Sequence, residues 1–264
     1  MELNTMDLSL GRIEIPLGKK ILSKDPVIFA GPCSVEELAT MRAIAKELKN
    51  LGVDVLRGGA YKPRTSPYDF QGLKDKGLEI LKEIKDEFNM MISTEILDVR
   101  DLDKALDIVD VIQIGSRNMY NYSLLEEAGR TGKPIILKRG FSATVNEWIH
   151  AAEYIYNTGN DKIILCERGI RTFETTTRNT LDLNSVAYLK EKSRLPIMVD
   201  PSHGTGVRSL VKPMALSAIM AGADGLIIET HTHPEEASSD SIQTISIETL
   251  EQIMDKTNEL WRLR

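Results

Sequence analysis

Residues 27–33 read Val-Ile-Phe-Ala-Gly-Pro-Cys, and behind them Leu38, Met41, Ile44, Ala45 and Leu48 recur at helical spacing. An apolar run without alternation suits a strand buried on both faces, and a 3.6-residue apolar stripe suits the helix that covers it. The pair reads as one strand–helix unit of a parallel sheet. The unit then repeats. Near-continuous apolar runs follow at 53–61, 90–97, 109–115, 134–140, 162–169, 195–203 and 225–231, with amphipathic stretches between them. Leu78, Leu81, Ile84 and Phe88 mark the second such stripe. Ser34 with Glu37, and Thr144 with Glu147, have the spacing of capping boxes ahead of helices.

Eight such units in 264 residues predict an α/β fold, a closed (β/α)8 TIM barrel, for which about 250 residues is the usual length. The competing open doubly wound sheet would carry a Gly-x-Gly-x-x-Gly turn after its first strand, and that turn is missing. No Pro/Gly/Ser-rich linker or charge block divides the chain, so residues 1–264 read as a single catalytic domain with residues 1–26 as an N-terminal extension. Two short alternating stretches in residues 10–22 predict a β-hairpin that caps the barrel floor, and residues 245–263 read as the closing helix.

Composition narrows the function. A content of 42% hydrophobic and 27% charged residues is that of an ordinary globular protein. No apolar run reaches the roughly 18 residues of a membrane helix, and the acidic N-terminus has no apolar segment of a signal peptide behind it. Cys33 and Cys166 cannot build a disulfide framework, which points to a reducing, cytoplasmic setting. A net charge of −6 argues against broad nucleic-acid binding. An anionic ligand would therefore be held by local cations.

Such cations lie where a barrel does its chemistry, at the C-terminal ends of the strands. In chain order those ends carry Cys33; Arg57, Lys62 and Arg64; Glu95; Arg117; Lys138; Arg168; Asp200 and His203; and Glu229. Any one of these alone reads equally well as a solvated or salt-bridged loop residue. Their shared address is the signal. Six cations (Arg57, Lys62, Arg64, Arg117, Lys138, Arg168) converging on one cavity would repel one another unless ligands with several negative charges join them. Cys33, His203, Glu229 and Asp240 form a second subset. Mixed sulfur, nitrogen and oxygen donors suit a divalent transition metal (manganese, iron, cobalt or zinc) better than an all-oxygen magnesium site. Cys166 sits mid-strand as a small apolar residue and His150 lies on a predicted helix; His231 and His233 read as loop residues or supporting groups.

The strings Gly31-Pro-Cys-Ser-Val-Glu, Arg57-Gly-Gly-Ala-Tyr-Lys-Pro-Arg-Thr-Ser-Pro, Gln113-Ile-Gly-Ser-Arg-Asn and Leu137-Lys-Arg-Gly are recognisable together. So are Cys166-Glu-Arg-Gly, Val199-Asp-Pro-Ser-His-Gly and the segment from Glu229 to Asp240. Over about residues 25–250 the chain resembles the 3-deoxy-D-arabino-heptulosonate 7-phosphate (DAHP) synthases, in the subgroup close to 3-deoxy-D-manno-octulosonate 8-phosphate synthase. The resemblance implies condensation of phosphoenolpyruvate with erythrose 4-phosphate, the first step of the shikimate pathway. It implies Cys33, His203, Glu229 and Asp240 as metal ligands, the first two also catalytic, Arg117, Lys138 and Arg168 around the phosphoenolpyruvate phosphate, and Ser116 as a further substrate-binding residue. Arg57 and Lys62 would lie near its carboxylate and reacting end, and Arg64 and Thr65 at the erythrose 4-phosphate site. Lys62 or Glu95 would move protons, and a homodimer or homotetramer is implied. Octulosonate synthases carry Lys-Ala-Asn-Arg-Ser-Ser where this chain has Lys62-Pro-Arg-Thr-Ser, which leaves their use of arabinose 5-phosphate as the alternative. Many relatives have an added regulatory domain, and the lengths flanking the barrel here lead us to expect no aromatic-amino-acid inhibition through one.

Overall fold

The computed structural model describes residues 3–264. A short antiparallel hairpin comes first, β1 (Ile15–Leu17) against β2 (Lys20–Leu22). There follow β3 (Val27–Gly31), α1 (Leu38–Leu51), β4 (Val55–Arg57), α2 (Asp75–Phe88), β5 (Met91–Glu95) and α3 (Leu102–Ala105). Next are β6 (Val111–Ile114), α4 (Tyr122–Arg130), β7 (Ile135–Lys138), α5 (Val145–Tyr156), β8 (Ile163–Glu167) and α6 (Leu183–Lys192). The chain ends with β9 (Ile197–Val199), α7 (Pro201–Thr205), α8 (Arg208–Met220), β10 (Gly225–His231), β11 (Ile245–Ser246) and α9 (Ile247–Trp261).

Strands β3 to β10 pair in parallel, each with the next, and β10 closes the ring by pairing with both β9 and β3. The result is the eight-stranded (β/α)8 TIM barrel that the repeated units predict. Every residue of β3, β6, β7, β8, β9 and β10 is buried, as strands covered by side chains inside and helices outside must be. The stripe Met41, Ile44, Ala45, Leu48 of α1 is the face it buries, each large side chain contributing roughly 1.5–3 kcal/mol. Among the described residues no helix is long and apolar enough to cross a membrane.

The hairpin lies under the barrel. Lys20 Nζ donates to the carbonyl of Pro26 just before β3 and to Asp54 Oδ2 just before β4. One local device recurs along this floor. Asp54, Asp110 and Asp224 each accept the backbone N–H of a neighbouring strand's residue: Ile28 at 2.8 Å, Ile92 at 2.8 Å and Ile197 at 2.9 Å. Each donates its own N–H back to that residue's carbonyl, and each pairs with a lysine: Lys20, Lys85 and Lys190. The barrel's lower edge is thus laced by side chains where strand pairing begins.

Two local expectations change. Thr144 and Glu147 form a reciprocal capping box on α5, but Ser34 and Glu37 do not cap α1. Ser34 Oγ lies 2.9 Å from Ser239 Oγ instead, a contact from 205 residues away that takes the hydroxyl from its own helix. The closing helix begins at Ile247; Ile245 and Ser246 first pair with Thr230 and His231 as β11, and Ser246 then caps the helix.

Candidate active site

Cys33 follows β3, Glu229 lies within β10, His203 sits on the short helix after β9, and Asp240 comes from the loop after β10. One donor atom from each of the four lies within 4.8 Å of the others. Three features prepare this cluster. Asp200 caps α7 by accepting the N–H of His203 at 2.9 Å, which fixes the helix start. The other oxygen of Asp200 lies 2.7 Å from His203 Nδ1, so that nitrogen carries the proton and Nε2 turns its lone pair inward, 3.3 Å from Glu229 Oε1. Burial lowers the His203 pKa and favours the neutral ring that a ligand requires.

The sulfur of Cys33 is 1% exposed at residue level, accepts a hydrogen bond from Lys62 Nζ at 2.8 Å and donates to Asp240 Oδ2 at 2.9 Å. Burial pushes the thiol up to about 12, and the nearby carboxylates of Glu229 and Asp240 add to that against the charges of Lys62 and Arg57. Burial also opposes ionisation of Asp240, but the Cys33 hydrogen bond, the charge that His203 carries once protonated in acid, and that of Arg178 outweigh it and hold its carboxyl at about 2. Asp200 is likewise kept well below the usual carboxylate range: burial opposes this, and His203 and Lys138 prevail. One sulfur, one nitrogen and two carboxylates, preset in tautomer and distance, fit a divalent transition ion.

Beside the cluster is a cavity of about 250 Å³ lined by Lys62, Arg64, Thr65, Glu95, Ser116, Arg117, Lys138 and Arg168, with His203 and Asp240 on its metal side. The barrel ends bring these residues together from β4 through β10. Glu95 reaches the cavity because residue 115 is glycine; a Cβ there would lie 1.9 Å from Glu95 Oε1. Lys138 Nζ shares Asp200 Oδ2 with the histidine, at 2.6 Å. Arg168 is buried and its pKa falls below the usual value because of that burial. Among the described residues Arg64, Arg117 and Arg168 pair with no carboxylate, which leaves guanidinium charge available to an anion.

Arg57 stands apart from the other five cations, in a small pocket that it shares with Cys33, Lys62 and Glu95. Arg57 does not line the cavity: it is 4% exposed and donates to Pro32 O at 2.8 Å and Glu229 Oε1 at 3.2 Å. With Lys138 held by Asp200, two of the six cations are already neutralised, so the repulsion is smaller than a count of strand-end residues suggests. Cys166 is fully buried in β8 and His150 is exposed on α5, both away from the cluster. His231 is buried at the end of β10, where its Nδ1 accepts the N–H of His233, and neither joins the four donors.

Three participants escape the strand-end rule. Phe141 lines the cavity, and the guanidiniums of Arg117, Arg168 and Arg171 lie 5.5, 4.8 and 4.8 Å from its ring centre. An aromatic face attracts such cations and eases their mutual repulsion. Arg178 also lines the cavity but stands ten residues beyond Arg168. Gln243 is buried against Glu229, with no charge or periodicity to advertise it.

Fold and rim together define an enzyme of the (β/α)8 class built for small, multiply anionic substrates. The chain belongs to the DAHP synthetase I family, whose model matches residues 14–263. It is 53% identical over 233 residues to the phospho-2-dehydro-3-deoxyheptonate aldolase of Thermotoga maritima, spanning 88% of this chain and 69% of that protein. The crystal structure of that organism's DAHP synthase matches with a TM-score of 0.94 at 48% identity, over 98% of this chain and 76% of that one. A truncated form of the Thermotoga enzyme matches with a TM-score of 0.89 at 45% identity, over 97% and 95% of the two chains. The 2-dehydro-3-deoxyphosphooctonate aldolase of Syntrophobacter fumaroxidans is more distant, 28% identical over 265 residues, 94% of this chain and 91% of that one.

Proposed function

We propose that the chain condenses phosphoenolpyruvate with D-erythrose 4-phosphate and water to give DAHP and inorganic phosphate. The observation that carries this reading is one cavity lined by Lys62, Arg64, Thr65, Arg117, Lys138 and Arg168, with His203 and Asp240 also on its wall. So many cations on one wall suit two phosphorylated substrates. The greater identity to the heptonate enzyme than to the octonate enzyme favours the four-carbon sugar.

In this reading Arg117, Lys138 and Arg168 hold the phosphoenolpyruvate phosphate, with Ser116 beside them, and Lys62 faces its reacting end. Arg64 and Thr65 hold the erythrose phosphate. The C3 carbon of phosphoenolpyruvate then bonds to the aldehyde carbon as the C=O double bond opens and its oxygen takes up a proton, leaving positive character at C2. Water adds at C2 and loses a proton, and the hemiketal phosphate collapses to a ketone as its C–O bond breaks and phosphate departs. Lys62 or Glu95 moves protons, each being on the cavity wall. Arg57 acts from beneath, through Glu229. Cys33, His203, Glu229 and Asp240 would hold a divalent manganese, iron, cobalt or zinc ion. The chemistry such an ion supplies when bound is Lewis-acid polarisation of the aldehyde oxygen.

A single catalytic unit, a cytoplasmic setting and a homodimer or homotetramer belong to the same proposal; two free, buried cysteines agree with a reducing compartment. The deciding experiment is a phosphate-release assay after chelation and re-addition of single metals. Release should require both substrates and a metal. Equal or faster turnover with arabinose 5-phosphate, or none with erythrose 4-phosphate, overturns the assignment.

A further inference from the structure

Each carboxylate of the metal cluster has one oxygen facing inward and one turned away. Glu229 Oε1 faces His203 Nε2 at 3.3 Å, and Asp240 Oδ2 takes the Cys33 thiol at 2.9 Å. The outward oxygens are held by two residues with no role assigned so far. Gln243 Nε2 donates to Glu229 Oε2 at 2.6 Å. Gln243 Oε1 accepts from Arg178 Nη1 at 3.0 Å, and that guanidinium also lies 3.5 Å from Asp240 Oδ1.

The order of donors in this chain is forced. An arginine offers only donors, so it fixes which end of the Gln243 amide faces it, and the opposite end must then donate to Glu229. Flipping the amide would set two donors and two acceptors against each other, at a residue only 3% exposed. The backbone supports the same geometry. Arg178 N–H donates to Thr205 O and Asn179 Nδ2 donates to His203 O, so the segment is clipped to the helix that carries the histidine. Residue 206 is a glycine at φ +66°, and a Cβ there would lie 2.6 Å from the Arg178 Cβ. Ile170 and Thr180 exchange backbone hydrogen bonds at 2.9 Å, which ties the segment back to the turn after Arg168.

We propose that Arg178 and Gln243 are positioning residues that set the rotation of Glu229 and Asp240 for the ion and join the metal ligands to the phosphate-gripping strand end. This rests on the metal-dependent reading above. It makes Arg178 a brace and not a substrate-binding group, although its side chain is 43% exposed and lines the cavity.

The test is equilibrium binding of Co²⁺ to chelator-stripped full-length protein, followed by the thiolate-to-cobalt absorption band and by competition with a chelator. Arg178→Met and Gln243→Ala should each weaken Co²⁺ by about ten- to hundredfold, the usual effect of removing a group that orients a metal ligand. The double variant should lose little more than either single one, because both act through the same chain. Arg178→Lys, which keeps the charge without the fork, should recover part of the loss, and melting temperatures should stay close to the parent. Parent-like Co²⁺ affinity in both single variants, with a raised KM for the sugar phosphate in Arg178→Met, overturns the brace in favour of direct substrate binding. A parent protein that shows no thiolate–cobalt band removes the metal reading as well, so the two failures are distinguishable.

Discussion

The two ends of this barrel treat charge in opposite ways. At the floor each buried or half-buried aspartate of the lacing device is answered locally, by one backbone amide and one lysine. At the mouth, carboxylates crowd within 4.8 Å around a thiol and an imidazole, while three arginines have no acidic partner among the described residues. A paired end contributes stability, and an end whose arginines lack acidic partners among the described residues offers their charge to anions. The contrast teaches that conspicuous charge need not mean function: Lys85 with Asp110 is as charged as Lys138 with Asp200, and only the second pair adjoins groups left open.

This contrast can be broken from either end. Cys33→Ala should have the largest effect, lowering kcat/KM by at least about a thousandfold, equivalent to several kcal/mol of lost charge stabilisation, without unfolding the barrel. Full activity after chelation and dialysis would remove the metal from the argument. Next, Arg168→Ala should raise the KM for phosphoenolpyruvate about ten- to hundredfold, as expected for one lost charge-assisted contact, and Arg64→Ala should do the same for erythrose 4-phosphate. If either variant raises both constants equally, the division of the cavity into two phosphate sites is wrong.

A third test uses pH. The Cys33 thiol is pushed up to about 12, so at neutral pH it is protonated in the metal-free protein. Binding requires the thiolate and expels one proton, so Co²⁺ affinity should rise by about tenfold per pH unit through the neutral range. A flat profile, or no acid release in a weakly buffered indicator solution, would separate the sulfur from the ion. The smallest effect on activity should come from the floor. Asp110→Ala strips the Ile92 amide and Lys85 of their partner and should lower unfolding free energy by about 1–3 kcal/mol, read by urea denaturation, with kcat/KM unchanged.

The barrel was legible because its signal is repetitive: a strand buried on both faces is mostly apolar, and eight such strands leave eight such runs. The rim was legible for a related reason, since a polar group ending an apolar run has little structural excuse. What stayed hidden was set by tertiary contact. Ser34 has the spacing of a cap, yet Ser239 takes its hydroxyl. Arg57 ends a strand as a binding cation should, yet the sequence gives no sign that it also donates to Pro32 and Glu229. Gln243 and Arg178 sit in loops, where neither periodicity nor strand-end position marks a residue, and a neutral amide gives no sign of the carboxylate it steers.

One oxygen joins the two halves of the mouth. Asp200 Oδ2 is shared by Lys138 on the phosphate side and His203 on the metal side. An anion that draws the ammonium toward itself leaves the imidazole as the sole claimant on that oxygen, which makes its ring nitrogen a stronger base toward a cation. Thermodynamic reciprocity then requires that cation and anion strengthen each other's binding by the same factor. Sharing that aspartate oxygen, the two halves of the mouth should bind cooperatively, and Co²⁺ affinity measured with and without phosphoenolpyruvate reads the coupling directly.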